Sequence, residues 1–275
     1  MNRDAGDRRR ISRAAVGVAV LLPVVPIVVG VVLISGGGSN TQTTSAGTRY
    51  TPVSAQSASA ANSQLTSTPQ LGSPIPQGAG ALVAQILKPT AMLSSPGGRE
   101  IAKAGTRTAF GSPDLVLVAR TSGSWLGVVS TLAGNNRLGW IALSATRLSR
   151  VAYELKVSLS ARRLTVLDSG HVVKRYTVAV GSPSAPTPTG RFAVTDRLAT
   201  GDPTGPYGCC ILALSAVSPH AIQGWTGGNR IAIHSTPETS SIGLPVSHGC
   251  MRLTLAEGRW LMYHIPLGTP TLITS

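Results

Sequence analysis

This chain of 275 residues is poor in acid, in aromatic rings and in cysteine. Charged residues make up 12% and hydrophobic residues 42% of it. That balance excludes a wholly disordered chain, which needs low hydrophobicity and high charge density. It also excludes a long coiled coil, whose surface positions are filled by Glu and Lys. Three cysteines cannot build a disulfide scaffold, and an odd count leaves at least one thiol to explain. The 31 glycines and 19 prolines follow no three-residue period, so a collagen helix is excluded. Aromatics are only 4% and no nucleic-acid-binding motif occurs, so nucleic acid is not expected as a partner.

What is present begins with positive charge. Lys+Arg 24 against Asp+Glu 10 gives a formal net charge of +14. The excess is spread out: residues 36–150 hold 9 basic and 2 acidic residues, and residues 151–275 hold 10 and 6. A diffuse basic surface suits a polyanionic surface such as a bacterial wall or an anionic membrane. Five arginines lie in residues 1–13, ahead of an uncharged, mostly apolar stretch at residues 14–35. Twenty-two residues at about 1.5 Å each span a bilayer core of about 30 Å. The positive-inside bias assigns residues 1–13 to a cytoplasmic tail and everything after residue 35 to the outside. We read residues 14–35 as a transmembrane signal anchor; the alternative is a cleaved signal peptide, whose apolar core is usually shorter.

Residues 36–80 are rich in Ser, Thr, Gly, Ala, Gln and Pro, and Arg49 is their only charge. Such a segment cannot bury enough apolar surface to offset its ordering entropy, so it is expected to be a disordered linker. Short apolar runs separated by turns then predict two β-rich modules, at residues 81–149 and 150–275. In the first, the spacing of the runs suggests a small barrel. Its Ser124-Trp125 and Gly139-Trp140-Ile141 elements resemble bacterial SH3-like domains, and both tryptophans are expected in the core. In the second, Asp168-Ser169-Gly170-His171 predicts a hairpin turn, and Thr254-Leu255-Ala256-Glu257 is a capping box that predicts the single helix. Residues 269–273 predict a closing strand.

The chemistry concentrates near the end of the chain. Cys250 sits in Ser247-His248-Gly249-Cys250-Met251-Arg252, and His234 ends an apolar run sixteen residues earlier. A thiol with an ordinary pKa of about 8.5 needs a neighbouring base or cation to become a nucleophile at neutral pH. An imidazole supplies that, then returns the proton to a leaving group. Gly249 permits a tight bend beside the thiol that turns backbone N–H groups towards a developing oxyanion. On residue types alone the rival reading is a buried structural cysteine.

His234-Ser235 followed by Ser247-His248-Gly249-Cys250-Met251-Arg252 resembles the catalytic signature of the L,D-transpeptidase catalytic domain family (YkuD-type). Thr187-Pro188-Thr189-Gly190-Arg191-Phe192, the capping-box helix and the last strand resemble further elements of that family. The resemblance implies a mainly β, β-sandwich-like catalytic domain with a short helix after the nucleophile, here preceded by the SH3-like barrel and the membrane helix. It implies a cysteine acyltransferase acting on bacterial peptidoglycan stem peptides, with Cys250 as nucleophile and His234 as general base. Ser235, His248 and Gly249 would orient the base or line the oxyanion pocket. Ser247 and Arg252 would hold the loop or a substrate carboxylate. The donor would be a tetrapeptide stem, the acceptor a diamino acid, and β-lactams of the penem type would be inhibitors. The resemblance implies no cofactor and no metal, and it places the catalytic domain in the bacterial envelope outside the cytoplasmic membrane. Transfer to water as an L,D-carboxypeptidase, anchoring of a protein to the wall, and non-catalytic wall binding remain open. Cys209-Cys210 departs from the family pattern. Strand alternation favours two thiols pointing apart, and a vicinal disulfide between them is the alternative.

Overall fold

The computed structural model describes residues 51–52, 79–220 and 229–275. The apolar stretch at residues 14–35 lies outside them, and no helix among the described residues is long and apolar enough to cross a membrane. Within the predicted linker the description covers residues 51–52 and 79–80. The first two form strand β1 (Thr51–Pro52).

The first module contains β2 (Ala81–Ile86), β3 (Thr90–Leu93), β4 (Glu100–Ala104), β5 (Leu115–Ser122), β6 (Trp125–Val129), β7 (Gly139–Ala142) and β8 (Thr146–Val151). They form one antiparallel sheet in the order β4-β3-β7-β6-β5-β2-β8. Alternation along each strand sends one set of side chains inward, and every strand contributes to a single cluster: Ala84, Ile86, Met92, Ala104, Val116, Leu126, Val128, Ile141 and Leu148. A sheet whose strands all meet in one cluster curls around its own core. The tryptophans differ from expectation. Trp125 and Trp140 are only half-buried, because Leu126, Val128 and Ile141 take the inward positions. The Trp140 ring lies across the strand pair on Gly127, where a Cβ would meet ring carbons at 3.1 Å.

The second module contains β9 (Tyr153–Ser158), β10 (Arg163–Asp168), β11 (His171–Thr177), β12 (Val180–Gly181), β13 (Gly190–Ala199), β14 (Cys210–Val217), β15 (Arg230–Ser235), β16 (Pro245–Ser247), β17 (Met251–Leu253), α1 (Leu255–His264) and β18 (Pro270–Thr274). Ser169 and Gly170 both have positive φ (50° and 83°), the geometry a two-residue hairpin between β10 and β11 requires. The main path runs β11-β10-β9-β18-β13-β14-β15-β17, with β1 against the end of β13 and β12 paired to β16. Strand β13 divides its pairing: residues 190–193 face β18, and residues 194–199 face β14 and shift register there. The two half-sheets that share it close on one apolar core, from Leu155, Leu164 and Ile273 on one side to Leu214, Ile233 and Leu253 on the other. That is a sandwich-like arrangement. The helix begins as its sequence requires: Thr254 Oγ1 accepts from the Glu257 N–H at 3.3 Å, and Glu257 Oε2 accepts from the Thr254 N–H at 2.9 Å.

The two sheets share an apolar seam of Val83, Leu117, Val129, Val151 and Ala193. Polar contacts fix its register. Asn135 donates from Nδ2 to the Val217 carbonyl at 2.7 Å and accepts from the Val217 N–H at 2.9 Å, reproducing a strand ladder with a side chain. Thr108 donates to the fully buried Asp196, and Phe110 lies 5.7 Å from the Arg230 guanidinium. Asp114 sits beside this group. Burial first, and then the Asp196 carboxylate, raise its pKa to about 6, against the lowering influence of Arg230. The folded protein therefore binds this proton more tightly than an unfolded chain with a pKa of 3.8. Its contribution to stability is fully present below pH 3.8 and is lost as pH rises through about 6. Asp114→Asn is expected to stabilise the protein by about 1–3 kcal/mol at pH 8 and by almost nothing at pH 4. Urea titrations at the two pH values check this; an equal effect at both would refute it.

Candidate active site

Strand β15 is buried along its whole length, and alternation gives its two faces different company. Ile231 and Ile233 enter the main core. Ala232 joins a small cluster with Leu198 and Ile211 on the opposite face, where Tyr207 and Cys250 pack against it, and alternation puts His234 on that face too. Strand β17 runs parallel to β15 with Ile233 opposite Met251 and His234 opposite Arg252. Cys250, one residue ahead of β17, therefore falls beside Ala232, diagonal to His234 and on the same side. The Ala232 backbone interacts with its thiol. The pairing of β15 with β17 thus brings Cys250 and His234 to the same side of neighbouring strands.

The loop that presents Cys250 is held by hydroxyl groups. Ser247 Oγ accepts from the Gly249 N–H at 3.1 Å and donates to the Cys250 carbonyl at 2.6 Å. Thr187 Oγ1 donates to the Gly249 carbonyl at 2.8 Å and accepts from the Gly181 N–H at 2.9 Å. Ala179 and Arg252 exchange both backbone hydrogen bonds, at 2.9 and 3.1 Å. Gly249 has φ 114°, and a Cβ there would approach Ile231 to 2.8 Å, so this bend requires glycine. Its N–H is engaged by Ser247, which leaves the Cys250 amide as the candidate oxyanion donor beside the thiol.

His234 is oriented from behind. Its Nδ1 lies 2.8 Å from the Ser235 carbonyl, so Nδ1 donates and Nε2 carries the lone pair. Tyr207 meets the imidazole edge-on, with ring centroids 4.9 Å apart. The Ser235 hydroxyl accepts from the Cys210 N–H at 3.1 Å and lies 3.4 Å from Cys209 Sγ. Gly208 and Gly258 leave the space Ser235 occupies: a Cβ on either would approach it to 2.5 and 2.7 Å. Cys209 and Cys210 are joined in a vicinal disulfide, with Cα atoms 3.7 Å apart, and Cys250 is the free thiol. The two-thiol expectation fails because Cys209 lies in the turn before β14. Strand alternation therefore does not apply to the pair.

Both His234 and Cys250 are uncharged at rest. Burial above all lowers the His234 pKa to about 4; the Arg252 charge adds to this and the Ser235 hydrogen bond opposes it. Burial likewise pushes the Cys250 thiol above its ordinary value, and the Ala232 backbone and Arg252 pull the other way. The two groups are therefore an imidazole and a thiol, rather than an ion pair, at pH 7. Arg252 Nη1 is 4.0 Å from Glu238 Oε2, and its buried Nε has no hydrogen-bond partner.

Of the residues singled out in the sequence, Cys250, His234, Ser235, Ser247, Gly249 and Arg252 gather here, while the His248 side chain is exposed. Tyr207 and the loop-holding role of Thr187 were not anticipated. Thr187 opens the segment already matched to the family, but nothing local in the sequence points Tyr207 at His234. Among the described residues no group of three or more His, Cys, Asp and Glu side chains could hold a metal ion.

A family model for the L,D-transpeptidase catalytic domain matches residues 152–273. A putative L,D-transpeptidase YkuD of Bacillus licheniformis is 34% identical over 124 residues, which is 45% of this chain and 67% of that protein. A putative L,D-transpeptidase YqjB of Bacillus subtilis is 31% identical over 128 residues, covering 43% of this chain and 69% of its own. L,D-transpeptidase 1 of Mycobacterium tuberculosis is 30% identical over 124 residues, and the chain spans about half of it, 47%. Among solved structures, an L,D-transpeptidase from Mycobacterium smegmatis is 18% identical with a TM-score of 0.36, covering 74% of this chain and 98% of that one.

Proposed function

Because the chain belongs to the L,D-transpeptidase catalytic domain family, we propose that it is an extracytoplasmic cysteine acyltransferase forming 3→3 crosslinks between peptidoglycan stem peptides. The observation that carries this reading is the pairing of β15 with β17. It sets Cys250 diagonal to a His234 whose Nδ1 is already committed to the Ser235 carbonyl.

Cys250 attacks the carbonyl of the third residue of a tetrapeptide stem while His234 Nε2 takes the thiol proton. The developing oxyanion meets the Cys250 amide. The intermediate collapses, His234 returns the proton to the departing D-alanine, and a thioester remains. The side-chain amine of a second stem's diamino acid attacks the thioester, His234 takes its proton and hands it to the departing sulfur, and Cys250 is released as a thiol. Arg252 secures the loop or binds a substrate carboxylate. Residues 14–35 tether the domain to the membrane, and the linker lifts it towards the wall. The seven-stranded module serves as an SH3-like spacer or wall-binding element. Penem β-lactams acylate Cys250 in place of the donor.

The test is incubation of the purified chain with disaccharide-tetrapeptide fragments, with products read by mass spectrometry. A dimer that has lost one D-alanine per bond is the expected result. Tripeptide monomer alone would reassign the chain as an L,D-carboxypeptidase, and no product would favour wall binding or anchoring.

A further inference from the structure

We propose that the Cys209–Cys210 disulfide is a thiol–disulfide exchange site through which a dithiol reductant switches off Cys250 acylation. The inference rests on the reading of Cys250 as an acyl acceptor and adds a control to it.

Three observations lead there. The first is access. A surface cavity of about 330 Å³ is lined by both cysteines together with Asp202, Arg259, Met262 and Tyr263. Cys209 is half-buried and Cys210 is buried, so Cys209 Sγ is the sulfur an incoming thiolate reaches. The second is charge. Exposed Arg259 on α1 lines the same cavity, and a cation beside a disulfide favours the thiolates that exchange requires. Asp202, on the exposed rim, opposes this charge, and its Oδ1 accepts from the Thr204 N–H and hydroxyl at 2.9 and 2.6 Å, which keeps it ionised. The third is linkage. Cys209 and Cys210 both touch the Ser235 hydroxyl, whose own residue carries the carbonyl that orients His234. That hydroxyl also lies within reach of the Tyr207 carbonyl at 3.3 Å, and the Tyr207 ring packs edge-on against His234. One bond therefore braces both supports of the imidazole.

The exchange balances with a dithiol. One of its thiolates attacks Cys209 Sγ, the S–S bond breaks, and Cys210 leaves as a thiolate. The second thiolate of the reductant then attacks its own sulfur in the mixed disulfide and releases Cys209. The reductant ends as a disulfide, two electrons have passed to the protein, and the two cysteine thiolates take up the protons the reductant lost. The Cys209–Cys210 turn then opens, and Ser235 and Tyr207 lose the brace that holds them against His234.

The test treats the full chain with dithiothreitol, removes it anaerobically, counts thiols and follows acylation of Cys250 by a penem through intact mass. One free thiol is expected before treatment and three after it. The reduced protein should stay folded by near-UV circular dichroism yet acylate about tenfold more slowly, or worse, since small misplacements of a catalytic group cost that much. Its acid limb should rise above pH 4 as water reaches His234, and reoxidation should restore both rate and limb. Cys209→Ser should be slow throughout and indifferent to reductant. Acylation at equal rates in both forms, a thiol count that stays at one, or a reduced form that unfolds would each overturn the switch while leaving the site's function intact. No acylation of the oxidised protein would instead overturn the reading of Cys250 on which the switch depends.

Discussion

His234→Gln should slow acylation of Cys250 by about 10²–10⁴-fold, the range general-base assistance usually supplies, and Cys250→Ala should abolish it. The size follows from the neutral resting state. Burial keeps the Cys250 thiol protonated at pH 7, so few molecules carry a preformed thiolate. Burial also holds His234 near a pKa of about 4, so almost all molecules carry an imidazole ready to accept the proton. Attack and proton transfer must then be coupled, and removing the acceptor removes the coupling.

The pH dependence gives the same argument a sign. A base with pKa about 4 loses its function only below that value, so kcat/KM should hold level from pH 8 down to about 5 and fall as pH drops through 4. In His234→Gln the residual rate should instead climb about tenfold per pH unit, because only the spontaneously formed thiolate reacts. Rates of penem acylation between pH 3.5 and 9 check both profiles. An acid limb near 6.5 in the unmodified protein would show that His234 is not held neutral as described.

The signature around Cys250 was legible because its chemistry is local: Ser247, Gly249 and Cys250 build their own loop from hydrogen bonds spanning two or three residues. The capping box at Thr254 and the hairpin turn at Ser169-Gly170 were legible for the same reason. What stayed hidden is long-range. Tyr207 reaches His234 across 27 residues of chain, and no periodicity encodes that contact. The vicinal disulfide escapes strand alternation because Cys209 lies one residue before β14 begins. The tryptophans were misplaced because a curled sheet can cover its outer face with aromatic rings lying on glycine, and composition alone does not distinguish the two faces. The seam between the modules left a trace only in hindsight. Asp196 and Arg230 carry no local sequence signal, yet each is almost entirely buried and their partners come from both sheets.

That seam yields the second large effect. Asp196→Asn should destabilise the protein by about 3–5 kcal/mol at pH 5, the usual consequence of leaving a buried charge without its counter-ion. Arg230 Nη2 stands 3.7 Å from Asp196 Oδ2, which has no other partner, and Arg230 Nε donates to the Leu214 carbonyl at 2.9 Å. The amide can still accept from Thr108, so the loss is chiefly one of charge. Asp114 is close enough to interact with both members of the pair and titrates at about 6. At pH 8 it is ionised, and in the variant it faces Arg230 without the repulsion of Asp196. The destabilisation should therefore shrink at pH 8, and Asp196→Asn combined with Asp114→Asn should restore the full loss at either pH. Urea titrations of the two variants at pH 5 and 8 measure this coupling, and equal losses at both pH values would refute it. The consequence reaches the active site, because Arg230 begins the strand that ends in His234 and Ser235. A loosened Arg230 frees the beginning of β15, so acylation of Cys250 should fall together with stability at pH 5 and recover with it at pH 8. The buried pair at the seam thus makes docking of the first sheet a condition for placing the base.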